Sequence, residues 1–190
     1  MSRLLDRIRK EAWDERREYG LEGKRPAKDK WCLRRWAHDG DMPSSFWDAA
    51  IWYERQLEMA SGIMGSAGMS ERVQGGSNGQ ERALLAKVEA GNERSRARMA
   101  VIRFVECEET VRVFDALFLR FNDKGELQVD DKGGALMGRP TLDLLTKHFH
   151  RRKGNVKVMA TFALEGLATF LDRRAHKHEW WRQPPGSTAC

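Results

Sequence analysis

The chain has 190 residues, of which 41% are hydrophobic and 33% charged, and its net charge is +6. That length buries a core without disulfides or metals, and charge of mixed sign excludes a disordered polyelectrolyte. Three widely separated cysteines, Cys32, Cys107 and Cys190, form no CxxC pair and read as reduced thiols rather than a disulfide framework.

The charge is unevenly spread. Residues 1–40 carry 12 Lys/Arg against 8 Asp/Glu, residues 41–80 carry 2 against 5, residues 81–140 carry 11 of each, and residues 141–190 carry 9 against 4. Basic ends attract a polyanion, and they serve equally well as solubilising tails. The opening MSRLLDRIRK lacks the apolar stretch of a signal peptide, and no run reaches the length of a membrane span. The expectation is a cytoplasmic protein that does not engage a membrane.

Residues 3–19 predict a helix, with Leu4, Leu5, Ile8, Ala12 and Trp13 on one side and Gly20 and Gly23 ending it. The segment EGKRPAKDK reads as a linker, so residues 1–30 form an N-terminal helix and joint. Trp31, Leu33 and Trp36 then predict a short helix that stops at His38-Asp39-Gly40. Ser44 or Ser45 is the natural cap of a second helix, whose face is Phe46, Ala49, Ala50, Tyr53, Leu57 and Ala60. Five of the seven tryptophans precede residue 53. Aromatics bury large areas, so Trp31, Trp36, Trp47 and Trp52 predict either a core or a partner-binding face.

Residues 61–80 are rich in glycine and serine and read as an exposed loop open to protease. Residues 80–121 predict a long helix, with a kink or break at Gly91-Asn92 and apolar positions Leu84, Leu85, Val88, Ala97, Val101, Phe104 and Val105. Val111–Phe121 leaves strand open, and the turn signal Asn122-Asp123-Lys124-Gly125 allows one short hairpin over 119–129. DDKGGALMGRP, residues 130–140, reads as a loop. Thr141 caps a short helix, RRKGN breaks it, and Asn155 caps a strongly apolar last helix. Helix, short turn, helix is the outline of a helix-turn-helix, which any helical hairpin shares. Residues 173–190 read as a basic, aromatic tail.

No P-loop, GxGxxG or HExxH motif is present. His148 with His150, and His176 with His178, stand two apart and read as surface histidines, since a metal needs further ligands. Glu106, Glu108 and Glu109 read as a solvated acidic face. No catalytic residue, metal or cofactor is expected. The positive groups that stand out are Arg151, Arg152, Lys153 and Lys157 around the start of the last helix, and Arg173, Arg174 and Lys177 after its apolar run. Lys and Arg at a helix start attract phosphate through charge and free N–H groups. The last helix is apolar on most faces, so it offers few side chains to base edges.

Three stretches resemble a known family. They are Leu33-Arg34-Arg35 through Asp39-Gly40 to Phe46-Trp47-Asp48-Ala49-Ala50 and Tyr53-Glu54-Arg55; Arg72-Val73 with Lys87, Val88 and Arg94; and Arg152-Lys153-Gly154-Asn155-Val156-Lys157 leading to Ala163-Leu164-Glu165-Gly166-Leu167-Ala168. Over residues 31–172 this order resembles the alphaproteobacterial and phage-like transcription-regulator domain found in the C-terminal part of the gene-transfer-agent activator GafA and in its split form GafZ. The family's Trp-Pro before the closing helix is absent, and residues 122–140 are an insertion. The resemblance implies an activator that works with promoter DNA and with RNA polymerase or a sigma factor, without catalysis. The expected fold is an all-α bundle with a helix-turn-helix-like C-terminal hairpin. The alternative is an adaptor or inhibitor that docks on protein without nucleic acid.

Overall fold

Six helices follow one another in a computed structural model that describes residues 31–62 and 76–180, with side chains described over 31–62 and 82–175. They are α1 (Cys32–His38), α2 (Ser44–Ser61), α3 (Gly76–Val105), α4 (Glu108–Ala116), α5 (Leu142–Phe149) and α6 (Lys153–Trp180). The protein is an all-α bundle. The helix expected over 3–19, its linker and most of the Gly/Ser-rich loop lie outside the described residues, although residues 76–80 of that loop already belong to α3.

The centre of the bundle is α6, which packs against α2, α3, α4 and α5. Val156, Ala160, Ala163, Leu164 and Leu167 of α6 are fully buried. An amphipathic surface helix needs one apolar stripe, but a helix with neighbours on several sides must be apolar nearly all round. The apolar run from Val156 to Leu171 is therefore the signature of a central helix. The helix continues to Trp180, past Arg173 where a tail was expected to begin.

Local signals explain most boundaries. Thr141 caps α5 as expected, its Oγ1 accepting from the Leu144 N–H at 3.3 Å. His150 ends α5 in the left-handed region at φ 50°. α6 begins at Lys153 and not after Asn155: the carbonyl of Arg152, just before it, accepts from the N–H groups of Asn155 at 3.0 Å and Val156 at 3.2 Å. At α2 the expected serine cap is absent, since Pro43 holds the cap position in extended backbone and Ser44 is the first helical residue. Proline's fixed φ suits a helix start, and it has no N–H to satisfy.

The long helix α3 passes through Gly91-Asn92 without a break. It ends instead at Glu106, which turns to φ 50°, and Cys107, which is extended and begins α4. After α4 the chain forms no regular strand among the described residues. Isolated antiparallel bridges join Leu119 to Met137, Phe121 to Leu127 and Val129 to Ala135. The segment 130–140, expected as loop, thus supplies a third partner beside the expected hairpin. Each of the three short segments pairs with both others. The Arg120 N–H donates to Leu136 O at 2.8 Å, Gln128 N–H to Arg120 O at 2.9 Å, and Leu136 N–H to Gln128 O at 3.0 Å. Gly125 lets this triangle sit on α5: its φ is +87°, and a Cβ there would lie 2.7 Å from the Lys147 Cβ.

One aromatic cluster fills the space between α1, α2 and α4. Tyr53 lies 4.9 Å from Phe114 and 5.1 Å from Phe118, and Trp31 lies 6.2 Å from Phe118. The Trp31 Nε1–H donates to the Leu117 carbonyl at 3.1 Å, which satisfies its one polar atom. Burial here perturbs two acids. The Cys32 thiol is pushed up from 9.0 to about 12 by desolvation. The Tyr53 phenol is pushed up from 10.0 to about 12, first by burial and then by the Asp115 charge. The fold therefore keeps protons that the unfolded chain releases. The contribution of these two groups is fully present below about pH 9 and is lost as pH rises from about 9 towards about 12, at up to about 1.4 kcal/mol per pH unit for each group. Thermal melts between pH 8 and 11.5 should show this fall, and Tyr53→Phe should flatten the part above pH 10.

Candidate nucleic-acid interface

The seven basic residues singled out by sequence occupy the two ends of α6. Arg152 and Arg173 are separated by 21 residues of the chain, about 30 Å along a helix. They form two separate groups, not one patch.

At the first end, the turn His150–Arg152 joins α5 to α6 and leaves Arg151, Arg152 and Lys153 exposed. Acidic partners from distant parts of the chain already hold most of the charge there. Arg151 makes a two-pronged contact to Glu109, with Nε to Oε1 at 2.8 Å and Nη2 to Oε2 at 3.3 Å. Lys153 Nζ lies 2.5 Å from Asp143 Oδ1, and its hydrogen bond and charge hold the Asp143 carboxyl below the usual carboxylate range. Lys157 pairs with Asp41, and its ammonium stands 5.7 Å from the Trp36 ring centre. With a side chain only 12% exposed, Lys157 is an internal tie between α6 and the α1–α2 turn. Arg152 is the exposed cation of this group with no acidic partner among the described residues.

At the second end, Arg174 is bound to Glu93 of α3, while Arg173 is exposed. Lys177 lies on α6, beyond the described side chains. Arg96 and Arg103, which sequence reading did not select, join Arg173 and Arg174 around a groove of about 940 Å³ between α3 and α6. Their spacing of seven residues on one helix was the available signal. The floor is apolar: Met99, Phe104 and Phe170.

The tryptophans do not form a docking face. Trp31 and Trp36 are 1% and 4% exposed and belong to the core, while Trp47 and Trp52 are half-buried against it. Their large apolar rings fill the junction between α1, α2 and the segment after α4. His148 is likewise structural, with Nδ1 3.1 Å from the Gly125 carbonyl and its ring 4.8 Å from Phe121 and Phe149. Of the acidic trio, Glu106 sits at the α3–α4 break and Glu109 serves Arg151. Among the described residues no group of three or more metal-ligating side chains gathers, and no helix is long and apolar enough to cross a membrane.

The α5–turn–α6 unit keeps the helix-turn-helix outline, but α6 is buried in the bundle over 156–171. A helix so covered cannot lie in a major groove, whose readout needs side chains reaching base edges. What this end offers a nucleic acid is its exposed turn. No protein-family model, curated protein or solved structure matches the chain.

Proposed function

We propose that the chain is a DNA-associated transcription regulator, an activator acting with RNA polymerase or a sigma factor on phage-like genes. It touches the sugar–phosphate backbone through the α5–α6 turn and does not read bases. The observation that carries this reading is Arg152. It is exposed at the start of a 28-residue helix, flanked by Arg151 and Lys153. The first N–H groups of any helix lack partners within it and favour an anion, as does the positive end of its dipole. The resemblance of the residue order to the GafA-type domain is the support for the regulatory part of the reading.

The ion pairs set a quantitative expectation. Removing one cation that touches a phosphate lowers the salt slope of binding by about one unit. Arg152→Ser should therefore lower it by about one unit by itself. Changing Arg151, Arg152 and Lys153 together should lower it by less than three, because Glu109 and Asp143 already occupy two of these cations. Glu109→Gln should strengthen binding by freeing Arg151. Fluorescence anisotropy with a duplex at several salt concentrations measures all three. Affinity and slope unchanged in every variant would end the phosphate reading. Loss of polymerase capture with DNA binding intact would favour the adaptor reading, with its contact at the turn and not at the tryptophans.

A further inference from the structure

The largest exposed apolar side chains among the described residues lie mainly on α3: Leu84 is 63% exposed, Leu85 62%, Val88 55% and Met99 47%. The core side of α3 is a different stripe, made of Ala90, Ala97, Val101 and Val105. The outer side follows a 3–4 spacing through the exposed Leu85, Val88, Asn92, Ser95 and Met99 and ends at Ile102, which is half-buried against the core. These are the a and d positions of a heptad, with Leu85, Asn92 and Met99 at a and Val88, Ser95 and Ile102 at d. Nothing among the described residues covers the N-terminal half of this stripe. The C-terminal half borders the apolar groove between α3 and α6. One helix therefore carries a ridge and a groove.

We propose that the chain pairs with a second copy of itself through α3, antiparallel, about a two-fold axis level with Glu93-Arg94. In that register every a position meets a d position. Leu85 meets the partner's Ile102, Val88 meets the partner's Met99, and Asn92 meets the partner's Ser95. The ridge of Leu84, Leu85 and Val88 enters the partner's groove over Met99, and the same contact recurs by symmetry. Such a reciprocal contact closes after two copies.

Two further features select this occupant and this register. The charges complement each other: Glu89, exposed and without a basic partner among the described residues, comes within reach of the partner's Arg96, which contacts Glu93 of its own helix at 3.3 Å yet stays 71% exposed. The two-fold axis makes two such pairs. The centre of the seam is polar in a matched way. Ser95 Oγ donates its proton to the Gly91 carbonyl at 2.9 Å, which leaves the oxygen as an acceptor for the partner's Asn92 amide. The two-fold axis repeats this contact, and two adjacent polar layers in an otherwise apolar seam fix register at some loss of affinity. Arg98, at a flanking position, is committed to Asp115 at 2.7 Å and does not compete.

Sedimentation velocity of the full chain should show a species of twice 21.9 kDa. Leu85→Glu with Val88→Glu should return it to the monomer with its circular dichroism unchanged. Glu89→Arg and Arg96→Glu should each weaken pairing about tenfold, and together restore it. In a background of Cys107→Ser and Cys190→Ser, Val88→Cys with Met99→Cys should form an intermolecular disulfide, whereas Val88→Cys alone should not. A wild-type chain that stays monomeric up to about 100 µM would overturn the proposal. So would cross-linking by Val88→Cys alone, which would mean a parallel pair, or a monomer whose groove instead takes an acidic peptide or a nucleic-acid strand. DNA binding through the α5–α6 turn is measured separately, so either proposal can fail while the other stands.

Discussion

Phe114→Ala should lower the unfolding free energy by about 3–5 kcal/mol, as removal of a buried phenyl ring does. Phe114 is fully buried, lies 4.9 Å from Tyr53 and 5.6 Å from Phe118, and sits on α4 between the aromatic cluster and α6. The cavity cannot easily collapse, because its walls come from several helices. Native domains are stable by only about 5–15 kcal/mol, so this change should bring the variant close to unfolding at room temperature. Urea titrations followed by circular dichroism give the number. Phe104→Ala provides the contrast. Phe104 touches Phe162 at 5.3 Å but is 37% exposed at the groove, and it should cost less than half as much. Equal losses would mean that the aromatic cluster is not the centre of the core.

The sequence made that centre visible in part. Apolar spacing located the inner face of α2, and Phe46, Ala49, Ala50 and Tyr53 are indeed buried. The Asp39-Gly40 stop and the Thr141 cap are local chemistry, and local chemistry is written in adjacent residues. The end of α3 was not visible in this way. Gly91 looked like the natural breaker, yet nothing lies within 4 Å of where its Cβ would be, and neighbouring helix formers carry the helix past it. The true break, at Glu106, contains neither glycine nor proline. The basic residues of the candidate interface were also plain in the sequence, but their partners were not. Arg151 finds Glu109 across 42 residues, and Lys157 finds Asp41 from the other end of the domain. Charge counted along a chain says nothing about which charges the fold has already paired.

Arg139, in a segment expected to be loop, is another cation whose partner only the fold reveals. Arg139→Ala should cost about 2–4 kcal/mol, because it strands a carboxylate. Glu54 is 7% exposed and accepts from Arg139 Nε at 2.7 Å and Nη2 at 3.0 Å. The guanidinium also stands 5.2 Å from the Trp31 ring centre. The two partners are not equivalent. The Arg139 side chain is 52% exposed, whereas that of Glu54 is 9% exposed. Removing the arginine therefore leaves a charge with little water, while Glu54→Gln leaves a guanidinium that water reaches. The glutamine variant should lose no more than about 1 kcal/mol. Pairing Arg139→Ala with Glu54→Leu should recover much of the loss, since an apolar side chain suits the site once the cation is gone. Urea denaturation of the three variants tests the asymmetry, and equal losses for the two single changes would refute it.

The three short segments after α4 have a consequence for what can bind this protein. Each pairs with both of the others through alternate residues, among them Arg120, Gln128 and Leu136, whose N–H and C=O groups point into the triangle, while the bridged residues Phe121, Leu127, Val129, Ala135 and Met137 make no bond across it and turn theirs outward. An open strand edge is a template on which another chain adds a strand, in regulated complexes and in aggregates alike. Here each outward row is only two residues long before the chain turns, as at the exposed Leu127 and Val129, and so short an edge is a poor template. A partner that captured the protein by extending a sheet there would have to hold on through two residues at a time.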